Sequence, residues 1–229
     1  MQLDGELTLE PGQRGAREVF EVVAAAIQAH GFAKDQFCGA GSRPPTRNRA
    51  HFQVRGSLFG CAFTPIDGFN LDLLFLETTA SLFQLEVILD VLLRALNAKQ
   101  GFLHSAEYYL WQNAEQPVQY EAAGKDHSTL PKVHNGLPPP LADQWIDVSR
   151  NPGRRYLRQG FQEAVSSPMW LRADQLSKQQ LEELKCHPRF RLTASDSHWQ
   201  IRHAQSPFAE DSGADQEYLR RVCFGTECA

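Results

Sequence analysis

Eight histidines and five cysteines are the residues best suited to chemistry, and their spacing decides whether they can act together. The stretch HWQIRHAQSPF carries His198 and His203. Two imidazoles could hold a metal or move a proton. On a β-strand, however, residues five apart point to opposite faces. Trp199, Ile201 and His203 then share an inward face, and His198, Gln200 and Arg202 share a polar outward face. Packing explains that pattern without a metal. Cys186 and His187 are adjacent at a predicted helix end, so their side chains diverge and make a poor thiolate–imidazole dyad. Asp126, His127 and His134 fall in one loop, but no H-x-x-x-H, H-E-x-x-H or C-x-x-C occurs. CGAGSR is followed by Pro44-Pro45 where a phosphate cradle needs a helix, and G-x-S-x-G is absent. The sequence is read with no catalytic residues, no cofactor and no metal. A hydrolase drawing on distant segments, with Cys61, Cys186 and His104 as the first candidates, is the alternative.

The elements that would position these residues follow from periodicity. Val19, Phe20, Val23 and Ile27 recur at helical spacing and predict a helix over 16–30, ended by Gly31. AHFQVRGSLFGCAF and NLDLLFLE read as strands, with TPIDGF as a turn. Ser81 and Gln84 form a capping box before a helix reaching about Asn97. Its polar residues lie in one narrow stripe, so most of its surface is expected to be covered. FLHSAEYYLW is expected to be a strand with one wet face. The region around 112–160 is rich in proline, glycine and small polar residues and reads as a long loop excursion. SPMWL reads as extended, DQLSKQQLEELKCH as an amphipathic helix, and RFRLTAS with HWQIRHA as an antiparallel hairpin. A last helix starts near Ala214. The whole predicts an α+β fold, a mainly antiparallel sheet with helices packed on it, in a single domain over 1–229.

Composition bounds the function. The formal net charge is -4, which disfavours a broad nucleic-acid-binding face. An odd cysteine count without C-x-x-C reads as reduced thiols of a cytoplasmic protein. The N-terminus lacks the basic start and apolar run of a secretion signal, and the most apolar stretch, 82–96, falls short of the ~20 residues of a membrane span. Arginines cluster at Arg43, Arg47, Arg49 and Arg55 and again at Arg150, Arg154, Arg155 and Arg158, with no aromatic ladder. Between Glu107 and Asp147 stand six carboxylates and two lysines. A charged, aromatic-bearing surface of this kind suits docking of a basic protein. Asp126, Asp143, Trp145 and Asp147, with Glu210 and Asp211 behind them, are the candidate partner-binding residues.

FGCAFTPIDGFNLDLLFLE, the helix SLFQLEVILDVLLRALNAKQG and FLHSAEYYLW are similar, in order, to the first half of the immunity-52 family of bacterial polymorphic-toxin immunity proteins. SPMWLRADQL and HWQIRHAQSPFAEDSGADQEYLRRV resemble its second half, with Trp199, Pro207, Phe208, Tyr218, Leu219 and Val222 in the matching places. The middle loop is longer than in that family, and Pro168-Met169-Trp170 stands where the family has Gly-Trp. The resemblance covers most of 16–222 and implies a cytoplasmic antidote to a secreted nuclease of restriction-endonuclease-like fold, a type VI secretion effector. It implies no enzyme activity and no direct contact with nucleic acid or membrane. An adaptor that loads an effector onto a secretion machine is a further alternative.

Overall fold

The computed structural model describes residues 2–39, 45–46, 51–208 and 212–225. Its frame is one eight-stranded sheet in which every neighbouring pair is antiparallel. In chain order the elements begin β1 (Leu3–Leu9), α1 (Ala16–Ala29), α2 (Lys34–Phe37), β2 (Phe52–Arg55), β3 (Phe59–Ile66), β4 (Leu71–Thr78), α3 (Leu82–Ala95) and β5 (Gln100–Ser105). They continue α4 (Ala106–Asn113), α5 (Pro117–Ala122), β6 (Lys132–His134), β7 (Gln144–Ile146), β8 (Tyr156–Arg158) and β9 (Phe161–Glu163). Last come β10 (Met169–Arg172), α6 (Lys178–Cys186), β11 (Phe190–Ala194), β12 (His198–His203) and α7 (Gly213–Phe224). The sheet order is β11-β12-β10-β5-β1-β4-β3-β2, and β6–β7 and β8–β9 form two small separate ribbons. The α+β expectation holds.

Alternation on each strand builds two unlike faces. One face gathers Leu3, Leu7 and Leu9 of β1 with Cys61, Phe63, Leu74, Leu76, Leu103 and Trp170, under α1, α2 and α3. Two glycines let α3 lie close to the sheet. A Cβ on Gly5 would stand 2.9 Å from Leu89, and one on Gly101 would stand 3.1 Å from Leu93. The expected capping box starts α3, with Ser81 Oγ accepting from the Gln84 backbone N–H at 3.3 Å. The opposite face is apolar at β10, β11 and β12, where α6 and α7 cover Met169, Leu171, Phe190 and Ile201. Across β1, β4 and β3 the same face mixes Asp4, Glu6, Thr8 and Glu77 with Ala62, Leu73 and Phe75.

The structure departs from the sequence reading in five places. Leu3–Leu9 is an inner strand between β4 and β5, though four of its seven residues are Asp, Gly, Glu or Thr. FLHSAEYYLW is not one strand, because Ser105 Oγ accepts from the Tyr108 N–H at 3.0 Å and starts a helix there. β3 runs through Thr64, Pro65 and Ile66, so the turn begins only at Asp67. The face of His198, Gln200 and Arg202 is not turned to water. His198 is buried, Gln200 Nε2 donates to Glu86 Oε1 at 2.8 Å, and Arg202 pairs with the same carboxylate on α3. The cover on α3 is also narrower than its sequence suggested, since Phe83 is 73% exposed.

Because Leu89 rests directly on the β1 backbone, Gly5→Val is expected to lower stability by about 1–3 kcal/mol, the usual range for overpacking. Denaturant unfolding checks this. An unchanged midpoint would mean that α3 is not seated there.

Candidate functional site

The polar half of the second face forms a cleft of about 300 Å³ between β1, β2, β3, β4, β5 and α4. Register places its groups in rows. Asp4 lies opposite Glu77 on β4 and His104 on β5, and Glu77 lies opposite Gly60, itself opposite Arg55. One row therefore reads Arg55, Gly60, Glu77, Asp4, His104. The next row reads Gln53, Ala62, Phe75, Glu6, Phe102. Gly60 matters because a side chain there would occupy the space of the Glu77 carboxylate, which pairs with Arg55.

Each carboxylate has a different electrostatic state. Glu6 is 1% exposed, and Arg155 Nη1 meets its Oε1 at 2.7 Å. Burial raises the Glu6 pKa, and Arg155 opposes that rise. The Arg155 guanidinium lies 5.5 Å from the centre of the Tyr109 ring and 5.8 Å from that of Phe75. Asp4 has no ion-pair partner among the described residues. Burial pushes it up to about 6; the Gln2 amide resists, while Glu77 and Glu6 add to the rise. His104 stacks on Tyr109 with ring centres 4.8 Å apart. Burial, and secondarily Arg155, push its pKa down to about 3, so it is neutral at physiological pH. Burial raises the Tyr109 hydroxyl to about 12.

Arg155 arrives from the region expected to be a loop excursion, which the structure shows to be built. Tyr120 of α5 is fully buried and its hydroxyl donates to Ala114 O at 3.0 Å. Around it pack Ala114, Ile146 and Val148. Ile146 N donates to Glu115 O at 2.7 Å, which ties the β6–β7 ribbon to the end of α4. The Arg155 N–H donates to Asn113 Oδ1 at 2.7 Å. Buried Arg220 of α7 pairs with Glu163 and donates to Pro152 O and Arg154 O.

The expected partner-binding residues fall on this arm or beyond it. Asp143 and Asp126 are exposed, and Trp145 and Asp147 are half-buried. Trp145 pairs with Val133 across the ribbon. Asp126 accepts from the Ser128 N–H at 2.8 Å, and Asp147 from the Ser149 N–H at 3.0 Å. Those hydrogen bonds hold both carboxyls below the usual range, so both are ionised at neutral pH. The ribbon tip is organised by Asn135, whose Nδ2 donates to Leu141 O at 2.8 Å and whose Oδ1 accepts from Leu137 N at 3.1 Å and Asp143 N at 3.2 Å. Val118 (58%), Val133 (49%), Leu137 (44%) and Leu141 (66%) are exposed on the arm, out of six large exposed hydrophobic residues among those described. Glu210 and Asp211 lie outside the described residues, as do Arg43, Arg47, Arg49 and Cys228.

The remaining chemical candidates are dispersed. His198 Nε2 donates to Ala98 O at 2.7 Å, and His203 meets Asp215 at 3.0 Å, where Arg189 also pairs at 2.7 Å. These contacts lock β12 and α7 into place. Cys61 and His104 both border the cleft, but register turns the Cys61 side chain to the other face beside Leu76 and Val54. Burial there pushes its thiol up, against thiolate formation. Cys186 is exposed, and Cys223 is buried on α7. Among the described residues no three of His, Cys, Asp and Glu converge as metal ligands, and no helix is long and apolar enough to cross a membrane. Asp4 and Glu6 were absent from the expected residues because their strand, β1, was itself missed; of the cleft groups His104 was named, as a candidate of the hydrolase alternative. The alternation Leu3-Asp4-Gly5-Glu6-Leu7 was the available signal.

No family model matches the chain, and no curated protein matches it.

Asp4 gives a pH test. Its folded pKa lies above the unfolded value, so the folded state binds the extra proton and this contribution is lost as pH rises from about 4 through about 6. Asp4→Asn is expected to raise stability at pH 8 by about 1–2 kcal/mol after allowance for solvent screening, and to change little at pH 4. Thermal unfolding at both pH values checks it. An equal effect at both would refute the raised pKa.

Proposed function

We propose that this chain is a cytoplasmic immunity protein that binds and neutralises a cognate secreted nuclease toxin, a type VI secretion effector with a restriction-endonuclease-like nuclease domain. The observation that carries the reading is the arm of α5, β6 and β7. It presents Val118, Val133, Leu137 and Leu141 to solvent, and it also carries exposed Asp126 and Asp143. Of the six large hydrophobic residues exposed among those described, four fall on this arm, and such a concentration fits a protein contact.

The tip also suits docking in its stiffness. Prolines 138–140 and the Asn135 hydrogen bonds restrain it before any partner arrives. A restrained loop loses less conformational freedom on binding. A nuclease surface that faces nucleic acid is basic, because it must neutralise phosphates. Ionised Asp126 and Asp147, with exposed Asp143, complement such a surface and speed encounter. In this reading the protein works by occupying the toxin, with no reaction of its own and no direct contact with nucleic acid or membrane. The order of its segments, which resembles the immunity-52 family, supports the same reading.

Co-expression with the secreted effector encoded beside its gene tests the function. The protein is expected to restore growth to cells making the nuclease domain. Absence of such an effector gene, or equal killing with and without the protein, would contradict it. Within the complex, Asp126→Lys with Asp143→Lys is expected to slow association about tenfold and flatten its salt dependence. Leu141→Ser is expected to speed dissociation by about tenfold. Stopped-flow association and surface-binding kinetics measure the two effects. Unchanged rates in both variants would remove the arm from the interface.

A further inference from the structure

The cleft on the sheet is explained neither by packing nor by the arm. We infer that it is a binding site for a small organic cation, an alkylammonium or alkylguanidinium compound, with Asp4 as counter-ion and His104 as hydrogen-bond acceptor. The inference uses no residue of the arm and stands independently of the immunity reading.

Charge balance is the first ground. The cleft holds three carboxylates, Asp4, Glu6 and Glu77. Two guanidinium groups answer two of them, Arg155 on Glu6 and Arg55 on Glu77. Asp4 is left with the Gln2 amide and no cation among the described residues. A half-buried carboxylate flanked by two others is an unfavourable state that a bound cation relieves.

His104 is the second and independent ground. It is 7% exposed and borders the cleft. Neither of its ring nitrogens has a hydrogen-bond partner among the described residues. Its nitrogens are not among the described polar atoms closed off from solvent without a partner, so the hydrogen bond they lack within the protein has to come from the cleft. Its ring is fixed by stacking on Tyr109, and it is neutral, so one nitrogen is an acceptor whichever tautomer holds. An N–H donor that reached Asp4 could bond this nitrogen as well, because the two residues are direct cross-strand partners. A phosphate or carboxylate ligand would instead face Asp4 with like charge.

The volume is the third ground. About 300 Å³ is the lower end of the range for small-molecule sites. The Phe75 and Tyr109 rings supply walls for a short alkyl chain. Arg155 already lies over both rings, so the ligand's cation is directed to Asp4.

The groups facing Asp4 are Glu6 on its own strand, Glu77 on β4, His104 on β5, Tyr109 on α4, and Arg155 and Arg55 beyond the two glutamates. A cation bound at Asp4 would pull its pKa back down. Binding near pH 6 should therefore release protons. Affinity should fall about tenfold between pH 7 and pH 5 as the ionised fraction falls.

Titration calorimetry of the full chain with agmatine and putrescine, and with uncharged 1,4-butanediol as control, tests the site. Both cations are expected to bind and the diol is not. Asp4→Asn, which should be at least as stable as the parent at neutral pH, is expected to weaken binding tenfold or more. The His104 ring resonances should shift on agmatine addition. Buffers of different ionisation enthalpy should reveal proton release at pH 6. No binding by either cation, equal binding by the diol, or undiminished binding by Asp4→Asn would overturn the inference. A blocked Gly-Lys-Gly peptide separates the sources. It is expected to bind more weakly than agmatine, and tighter binding would assign the cleft to a protein side chain and overturn the small-molecule reading.

Discussion

A carboxylate buried on an inner strand needs a cation, and the contact between Glu6 and Arg155 meets that need here. The two residues are 149 positions apart in sequence. Their pairing brings the middle of the chain back over the first strand. The turn at Asn151–Arg154 leads into Arg155, and Arg220 holds it from the last helix through two backbone carbonyls. Asn113 fixes the same segment from the end of α4. The first strand, the middle segment and the last helix are thus joined through a few buried polar contacts. Such contacts contribute less net stability than apolar packing, but breaking one partner leaves a buried charge exposed to no solvent. Together they tie the first strand, the middle segment and the last helix into one arrangement.

That arrangement explains why the two faces of the sheet differ. One face is apolar from β2 to β10 and is closed by α1, α2 and α3, with the polar row of β12 meeting Glu86 at its edge. The other has its closed apolar layer at β10, β11 and β12, where α6 and α7 pack. Over β1 the cover is α4 and the segment carrying Arg155, and these leave a polar gap between Asp4, Glu77 and His104. The segment that delivers Arg155 also extends outward as the α5–β7 arm, footed on Tyr120. Cleft and arm are consequently two results of one constraint. The first is where cover stops, and the second is where the covering segment leaves the sheet.

Much of this fold could be read from periodicity, and the failures have physical causes. The helix at Ser81 was legible because its capping box and apolar repeat agree. The β11–β12 hairpin was legible because two alternating runs flank a short polar turn. The first strand was not, since its second face is filled with Asp4, Glu6 and Thr8, whose burial depends on residues far along the chain. The strand expected through Tyr108 and Tyr109 failed because Ser105 caps a helix that aromatic composition masks. His198 was assigned to water because a polar row on a strand normally faces it, whereas here Glu86 of α3 receives Gln200 and Arg202. The acidic arm was visible as composition, but its exposed leucines needed the structure. The cleft was invisible for a simpler reason. Its residues converge only through register across five strands.

The claim that the arm is the docking surface is open to one direct measurement. Hydrogen–deuterium exchange of the protein, alone and mixed with the effector nuclease domain, reports which backbone amides become protected. Protection is expected over 117–122 and 132–146, with the amides of β8 and β9 unchanged. Protection confined to other segments, with the arm exchanging at its free rate, would contradict the account.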